Sequence, residues 1–157
     1  MERLFEEYVA SYLRRDIQAP WQLKTQASSK YMVNNKIDDQ EGLKSRFQLK
    51  PDLLISKDNN SHHIMDTKWK LISFGDSDNN FNISQSDIYQ LFAYGHKYLN
   101  GCGDMMLIYP RHHQFETPLA CLHLAKDLRL WAVPFCIETD KVIMGEWVVR
   151  FPCLPQV

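Results

Sequence analysis

Residues 49–70 read LKPDLLISKDNNSHHIMDTKWK, and the parsing of this stretch decides the fold. Two β-like runs, 52–57 and 62–71, flank Asp58-Asn59-Asn60-Ser61. Such short polar side chains hydrogen-bond their own backbone and tolerate left-handed conformations, so the pattern predicts a hairpin. Pro51 stands at the start of the first run, where a missing N–H removes no ladder bond. Asp66 and Lys68 are two apart in the second run and project from one face of a sheet. Thirteen residues separate Asp52 from Asp66. An antiparallel pairing therefore lets Asp52, Asp66 and Lys68 converge near one end of the hairpin.

That set of groups suits phosphodiester hydrolysis. Two carboxylates are hard oxygen ligands for Mg²⁺, which keeps waters and also takes a substrate phosphate oxygen. The metal polarises the phosphate and lowers the pKa of a water. A lysine beside it can orient the attacking water and offset transition-state charge, and the carbonyl of Thr67 could add a ligand. Each motif alone also has an ordinary reading. A Pro-Asp dipeptide is most often a turn, and an aspartate near a lysine is usually a solvated ion pair. The weight lies in their combination on two paired strands with apolar LLI and IM runs around them.

Working outward, residues 4–13 carry Leu4, Phe5, Tyr8, Val9, Tyr12 and Leu13 at helical spacing, and Pro20 closes that stretch. A short strand is expected at 21–25, a loop or irregular helix over the polar residues 28–42, and a strand at 43–49. After the hairpin, 73–83 (SFGDSDNNFNI) reads as an exposed loop. Ser84 is a good helix N-cap, with Asp87 placed as in a capping box, and Gly101 sits where the helix would end. Gln90 and Tyr94 are four apart on this helix, on a face distinct from the apolar stripe through Leu91 and Phe92. Further strands are expected at 105–109, 119–124, 130–137 and 142–151, with Trp69, Trp131, Trp147 and Phe151 in the core. The order helix, three strands, helix, more strands predicts an α+β or three-layer domain around a mixed sheet.

The bulk numbers agree with one domain over 1–157. The chain is 45% hydrophobic and 24% charged, as ordinary globular proteins are. No apolar run approaches the roughly 18 residues that span a bilayer, and the segment MERLFEEYVASYLRR is too charged for a secretory signal. Cys102, Cys121, Cys136 and Cys153 form no CxxC pair, which suggests free thiols in a reducing cytoplasm. A formal net charge of -1 excludes DNA binding by bulk electrostatics alone. Binding to DNA would need a local basic patch, metal ions or a partner that delivers the substrate.

Pro51-Asp52 followed by Asp66-Thr67-Lys68 resembles the core motif of the PD-(D/E)XK nuclease superfamily, and Gln90 to Tyr94 resembles the Q-x-x-x-Y element of its RecB-like branch. LFEEYVASYLRR, LKPDLLI, IMDTKWK and DIYQLFAYG, in that order, are similar to the blocks of McrC, the cutting subunit of the McrBC methylation-dependent restriction system. The resemblance covers about residues 1–110 and implies an αβββαβ core, with additional C-terminal strands over 119–151. It implies Mg²⁺ (Mn²⁺ as a substitute) on Asp52, Asp66 and the Thr67 carbonyl, Lys68 as catalytic lysine, and Gln90 and Tyr94 positioning Lys68 or the DNA backbone. Glu6 matches an acidic position near the metal in many members; as a residue it is equally a surface helix glutamate. McrC proteins also carry an N-terminal region that docks on McrB, a GTP-hydrolysing AAA+ ring. This chain starts at the first nuclease helix, which is expected of an excised or naturally short nuclease domain, or of one whose coupling to a motor lies elsewhere; the resemblance leaves its GTP and methylation dependence open. Nothing in it resembles a phosphate-binding loop, and no nucleotide is expected on this chain.

Lys50, Lys70, Arg111 and His112 are candidate DNA contacts, with surface solubilisation as the alternative for each lysine. The leading expectation is a Mg²⁺-dependent endonuclease acting on double-stranded DNA in the cytoplasm, with an McrB-like partner and two copies needed for double-strand cleavage. The alternatives are a nuclease-fold binding or assembly module without cleavage of its own, or a RecB-like exonuclease or junction nuclease.

Overall fold

A computed structural model describes residues 1–27, 30–38 and 42–156. The central hairpin forms as its sequence predicts. β4 (Leu53–Lys57) and β5 (Asn60–Thr67) pair antiparallel with Leu53 opposite Met65. Asp58 and Asn59 turn between them with φ of 53° and 63°, the left-handed pair that matches strand twist in tight hairpins. β1 (Trp21–Thr25) flanks β4 antiparallel. On the other side β5 is followed by β6 (Gly103–Pro110) and β8 (Leu128–Cys136), both parallel to their predecessors. β7 (Leu122–Ala125) and β9 (Lys141–Val142) pair antiparallel with β8. The sheet is therefore mixed, ordered β1-β4-β5-β6-β8-β7.

Parallel neighbours cannot be joined by a tight turn, and the β5–β6 crossover is made by helix α2 (Gln85–Leu99). Helix α1 (Glu2–Asp16) covers the opposite face. Strand alternation sorts the core between them. Leu53, Ile55, Met65, Met106 and Ile108 pack with Phe5, Val9 and Leu13 of α1. Leu54, Ile64, Met105 and Leu107 pack with Leu91, Tyr98 and Leu99 of α2. Seven of the eight residues of β6 are buried, as a strand covered on both faces requires. This is an α+β fold in three layers.

Helix α2 begins where its cap predicts: the Ser84 hydroxyl accepts from the Asp87 N–H at 3.1 Å. It ends at Asn100, left-handed at φ 56°, followed by Gly101 at φ 74°. Gly95 lets this helix approach the sheet. A methyl group there would lie 2.6 Å from a methyl carbon of fully buried Leu128 and 3.1 Å from the Met105 sulfur. Gly95→Ala is therefore expected to lower stability by about 1 kcal/mol in urea unfolding, because overpacking outweighs the gain in helix propensity. A stabilised variant would show that the helix has room to lift.

Several sequence expectations are corrected. Residues 30–38, within the stretch expected to be loop or irregular helix, form β2 (Lys30–Asp38), which pairs with β3 (Gly42–Leu49) in a separate two-stranded sheet. A ladder satisfies the backbone of a polar strand as well as of an apolar one; residues 28, 29 and 39–41 of that stretch lie outside the described residues. β5 stops at Thr67 rather than 71, and the 73–83 segment holds 3₁₀ turns over Phe74–Asn82. The strand expected at 142–151 is only Lys141–Val142, because Gly145 turns left-handed at φ 57° and 3₁₀ turns follow over Gly145–Arg150. Trp69 and Trp147 are 42% and 43% exposed, outside the core: the chain has left the sheet before each of them. Trp131 and Phe151 are buried. Among the described residues no helix is long and apolar enough to cross a membrane.

Candidate active site

Asp52 sits just ahead of β4, where its carbonyl accepts from the Gln26 N–H at 2.9 Å and prolongs the pairing with β1. Its Oδ2 accepts from the Thr67 N–H at 2.8 Å and the Thr67 hydroxyl at 2.9 Å. These bonds tie the mouth of β4 to the end of β5. One residue on, the Lys68 N–H donates the other way, to the Ile108 carbonyl of β6 at 2.9 Å. An extended residue presents its N–H and C=O to the same edge, so the Thr67 carbonyl faces the Asp52 side.

Asp66 is 1% exposed. Its Oδ2 lies 2.8 Å from the Lys68 ammonium as an ion pair, and among the described residues this buried oxygen has no further hydrogen-bond donor. Burial, reinforced by the neighbouring Asp52 charge, pushes its carboxyl up to about 7, with the Lys68 ammonium opposing. Burial alone would lower the Lys68 ammonium; Asp66, Asp87 and Asp52 outweigh it and hold the charge on firmly.

Helix α2 supplies the next shell. The Lys68 ammonium donates to Gln90 Oε1 at 3.4 Å, Gln90 Nε2 donates to the Tyr94 hydroxyl at 2.8 Å, and that hydroxyl donates to the Lys50 carbonyl at 3.2 Å. Burial, then the Asp66 and Asp52 charges, push the Tyr94 hydroxyl up to about 12. Gln90 and Tyr94 thus share one helical face, as their spacing predicts, with Gln90 alone bonded to Lys68; Tyr94 is also 3% exposed and part of the α2 core, so the two faces of the helix merge there.

Glu6 comes to the site from α1. Its carboxylate accepts a short hydrogen bond from Gln26 Nε2, which also reaches Asp52 Oδ1 at 3.4 Å. Burial and the Asp52 charge raise the Glu6 carboxyl. Three participants escaped the sequence reading as site residues. Gln26 belongs to no motif. Asp87 places Oδ1 3.8 Å from the Lys68 ammonium; it lies three before Gln90 and seven before Tyr94, a helical periodicity that could have revealed it. Tyr109, at the end of β6, is fully buried, its hydroxyl has no hydrogen-bond partner among the described residues, and burial and the Asp87 and Asp66 charges raise it.

A cleft of about 860 Å³ is lined by Glu6, Gln26, Lys50, Asp52, Thr67 and Lys68, together with Arg3 and Arg14 of α1, while Asp66, Asp87, Gln90 and Tyr94 lie behind that lining. Lys70, Arg111 and His112 do not line it. The Lys70 N–H folds back on the Lys68 carbonyl at 3.1 Å. Arg111 pairs with Glu116 at 2.9 Å. His112 Nε2 lies 2.6 Å from the Ile72 carbonyl; a carbonyl only accepts, so that nitrogen carries the proton.

Among the described residues no three or more His, Cys, Asp or Glu side chains form a ready metal cage. Mg²⁺ does not need one: it binds one or two carboxylates and completes its shell with waters and phosphate oxygens. A buried Asp66 oxygen with no close partner but the Lys68 ammonium among the described residues, beside a second carboxylate, fits such an ion.

The family model of McrBC 5-methylcytosine restriction system components matches residues 1–110. Among solved structures, the fold is similar to a chain of the refined half-complex from a tetradecameric assembly of Thermococcus gammatolerans McrB AAA+ hexamers with bound McrC, at a TM-score of 0.62 and 14% identity. The match covers 96% of this chain and 31% of that one, so this chain spans about a third of its length. At that identity the likeness concerns the fold alone. No curated protein matches the chain.

Proposed function

The chain belongs to the family of McrBC 5-methylcytosine restriction system components, and from that premise we propose that it is an McrC-type cutting domain, a Mg²⁺-dependent DNA endonuclease forming one PD-(D/E)XK domain over 1–157 with its core in about 1–110. The observation that carries this reading is the convergence of Asp52, Asp66 and Lys68 at one end of the β4–β5 hairpin, with Lys68 in contact with Gln90. Without β2 and β3, the elements as far as β6 run α, three strands, α, strand, the order of that core.

Asp52, Asp66 and the Thr67 carbonyl would hold the ion, with Glu6 behind Gln26 as an outer acidic group. When bound, Mg²⁺ supplies charge neutralisation at the phosphate and lowers the pKa of water. Lys68 orients the attacking water and balances charge as the leaving 3′ oxygen departs, which leaves a 5′-phosphate. Gln90 restrains the Lys68 ammonium, and Tyr94 fixes the Lys50 backbone at the cleft rim. Arg3, Arg14 and Lys50 offer cations to the DNA backbone.

A net charge of -1 is small for a domain that must find DNA alone. The solved neighbour comes from McrB hexamers with bound McrC, and we infer an McrB-like AAA+ partner here too, in the cytoplasm, with two copies needed to cut both strands. The purified chain, incubated with plasmid DNA and Mg²⁺ or Mn²⁺, with and without such a GTPase, is expected to yield nicked or linear product. Intact plasmid in every condition would favour the assembly-module reading, which the near-neutral charge supports.

A further inference from the structure

We propose that Asp87 is a positioning residue: it gives the Lys68 ammonium a second seat and draws it off Asp66 when a divalent cation takes that carboxylate. The inference rests on the metal site proposed above. Lys68 Nζ lies 2.8 Å from Asp66 Oδ2 and 3.8 Å from Asp87 Oδ1, with Gln90 Oε1 at 3.4 Å. The ammonium therefore sits against the Asp66 oxygen that is buried and otherwise without a donor. A metal ion on Asp66 and an ammonium on the same oxygen repel each other within a few ångströms, where charges interact strongly in a partly dry site.

The lysine stem is flexible enough to move its charge, and the only question is where the charge goes. Asp87 answers it. The Asp66 and Asp87 side chains are 2% and 17% exposed and that of Lys68 is 19% exposed, so the second carboxylate is partly shielded from water. It rides on the first turn of α2, with its own N–H fixed by the Ser84 hydroxyl at 3.1 Å. A shift of Lys68 toward Asp87 keeps it beside Gln90 and frees Asp66 for the cation.

Mn²⁺ titration of the intact chain without DNA, followed by electron paramagnetic resonance, tests this in four proteins: wild type, Asp87→Asn, Lys68→Met and the double variant. Asp87→Asn is expected to weaken Mn²⁺ binding about tenfold, because Lys68 then stays on Asp66. Lys68→Met is expected to tighten it, and in that background Asp87→Asn is expected to change affinity by less than about twofold. Asp87→Glu restores wild-type binding. Equal losses in both backgrounds would mean plain through-space attraction and overturn the proposal, as would an Asp87→Asn protein that binds like wild type. Wild type that takes up no Mn²⁺, or Asp66→Asn that binds equally well, would instead overturn the metal site and this inference with it. Thermal melts of each variant confirm that the compared chains are folded.

Discussion

Plasmid cleavage is expected to fall about 10³-fold or more in both Lys68→Ala and Asp66→Asn, while the two substitutions move stability in opposite directions. The loss of activity follows from the proposed roles. Asparagine keeps the shape of Asp66 but removes the negative charge that would hold a cation, and alanine removes the ammonium that balances charge in the transition state. Stability separates them because Asp66 is 1% exposed and its Oδ2 has no partner besides Lys68 among the described residues. Its one close counter-charge is Lys68, at 2.8 Å. Lys68→Ala leaves a buried carboxyl without that partner and is expected to cost about 1–3 kcal/mol. Asp66→Asn removes a buried charge next to Asp52 and is expected to leave the metal-free protein at least as stable as wild type. Cleavage assays beside urea melts read both outcomes. More than about a tenth of wild-type cutting in either variant would remove the residue from the chemistry.

Without metal, the melting temperature is expected to drop as pH rises from 5 to 8, and saturating Mg²⁺ to restore it more at pH 8 than at pH 5. The sign follows from Asp66, whose carboxyl is pushed up to about 7 by burial and by Asp52 from an ordinary value of 3.8. The folded chain then holds this proton more tightly than the unfolded chain. Its stabilisation is complete below the ordinary value and is lost as pH rises through about 7, a change of a few kcal/mol. His63 acts the other way: burial lowers its imidazolium below 6.5, so its contribution is complete above 6.5 and is lost as pH falls through the lowered value. The difference between wild type and Asp66→Asn isolates the aspartate. Parallel pH profiles for the two proteins, with or without Mg²⁺, would mean that Asp66 carries its charge comfortably and binds nothing.

The hairpin was legible because its signals are local. Asp58 and Asn59 accept left-handed backbone, and the apolar residues on either side can only face two buried layers. Gln90 and Tyr94 were legible for the same reason, since four residues make one helical turn. What escaped depends on partners outside the segment being read. Lys30–Asp38 is a strand because β3 completes its ladder, not because its composition demands one. Trp69 reads as core from its size, yet β5 ends at Thr67 and leaves the ring packed on Phe5 with centroids 5.4 Å apart and one side in solvent. Asp87 carried a capping signal strong enough to explain it, which hid its second contact. Tyr109 lies in a strand buried throughout, where a hydroxyl leaves no trace in the apolar pattern.

Gln26 holds its backbone at φ 51°, a region where most side chains cost roughly 1 kcal/mol and glycine costs little. Its amide is also the bridge between Glu6 of α1 and Asp52 at the mouth of β4. Anyone breeding this domain for heat resistance would find Gln26→Gly among the improvements and would unknowingly sever the helix from the carboxylate it steadies. In this position durability and competence pull on one residue from opposite ends.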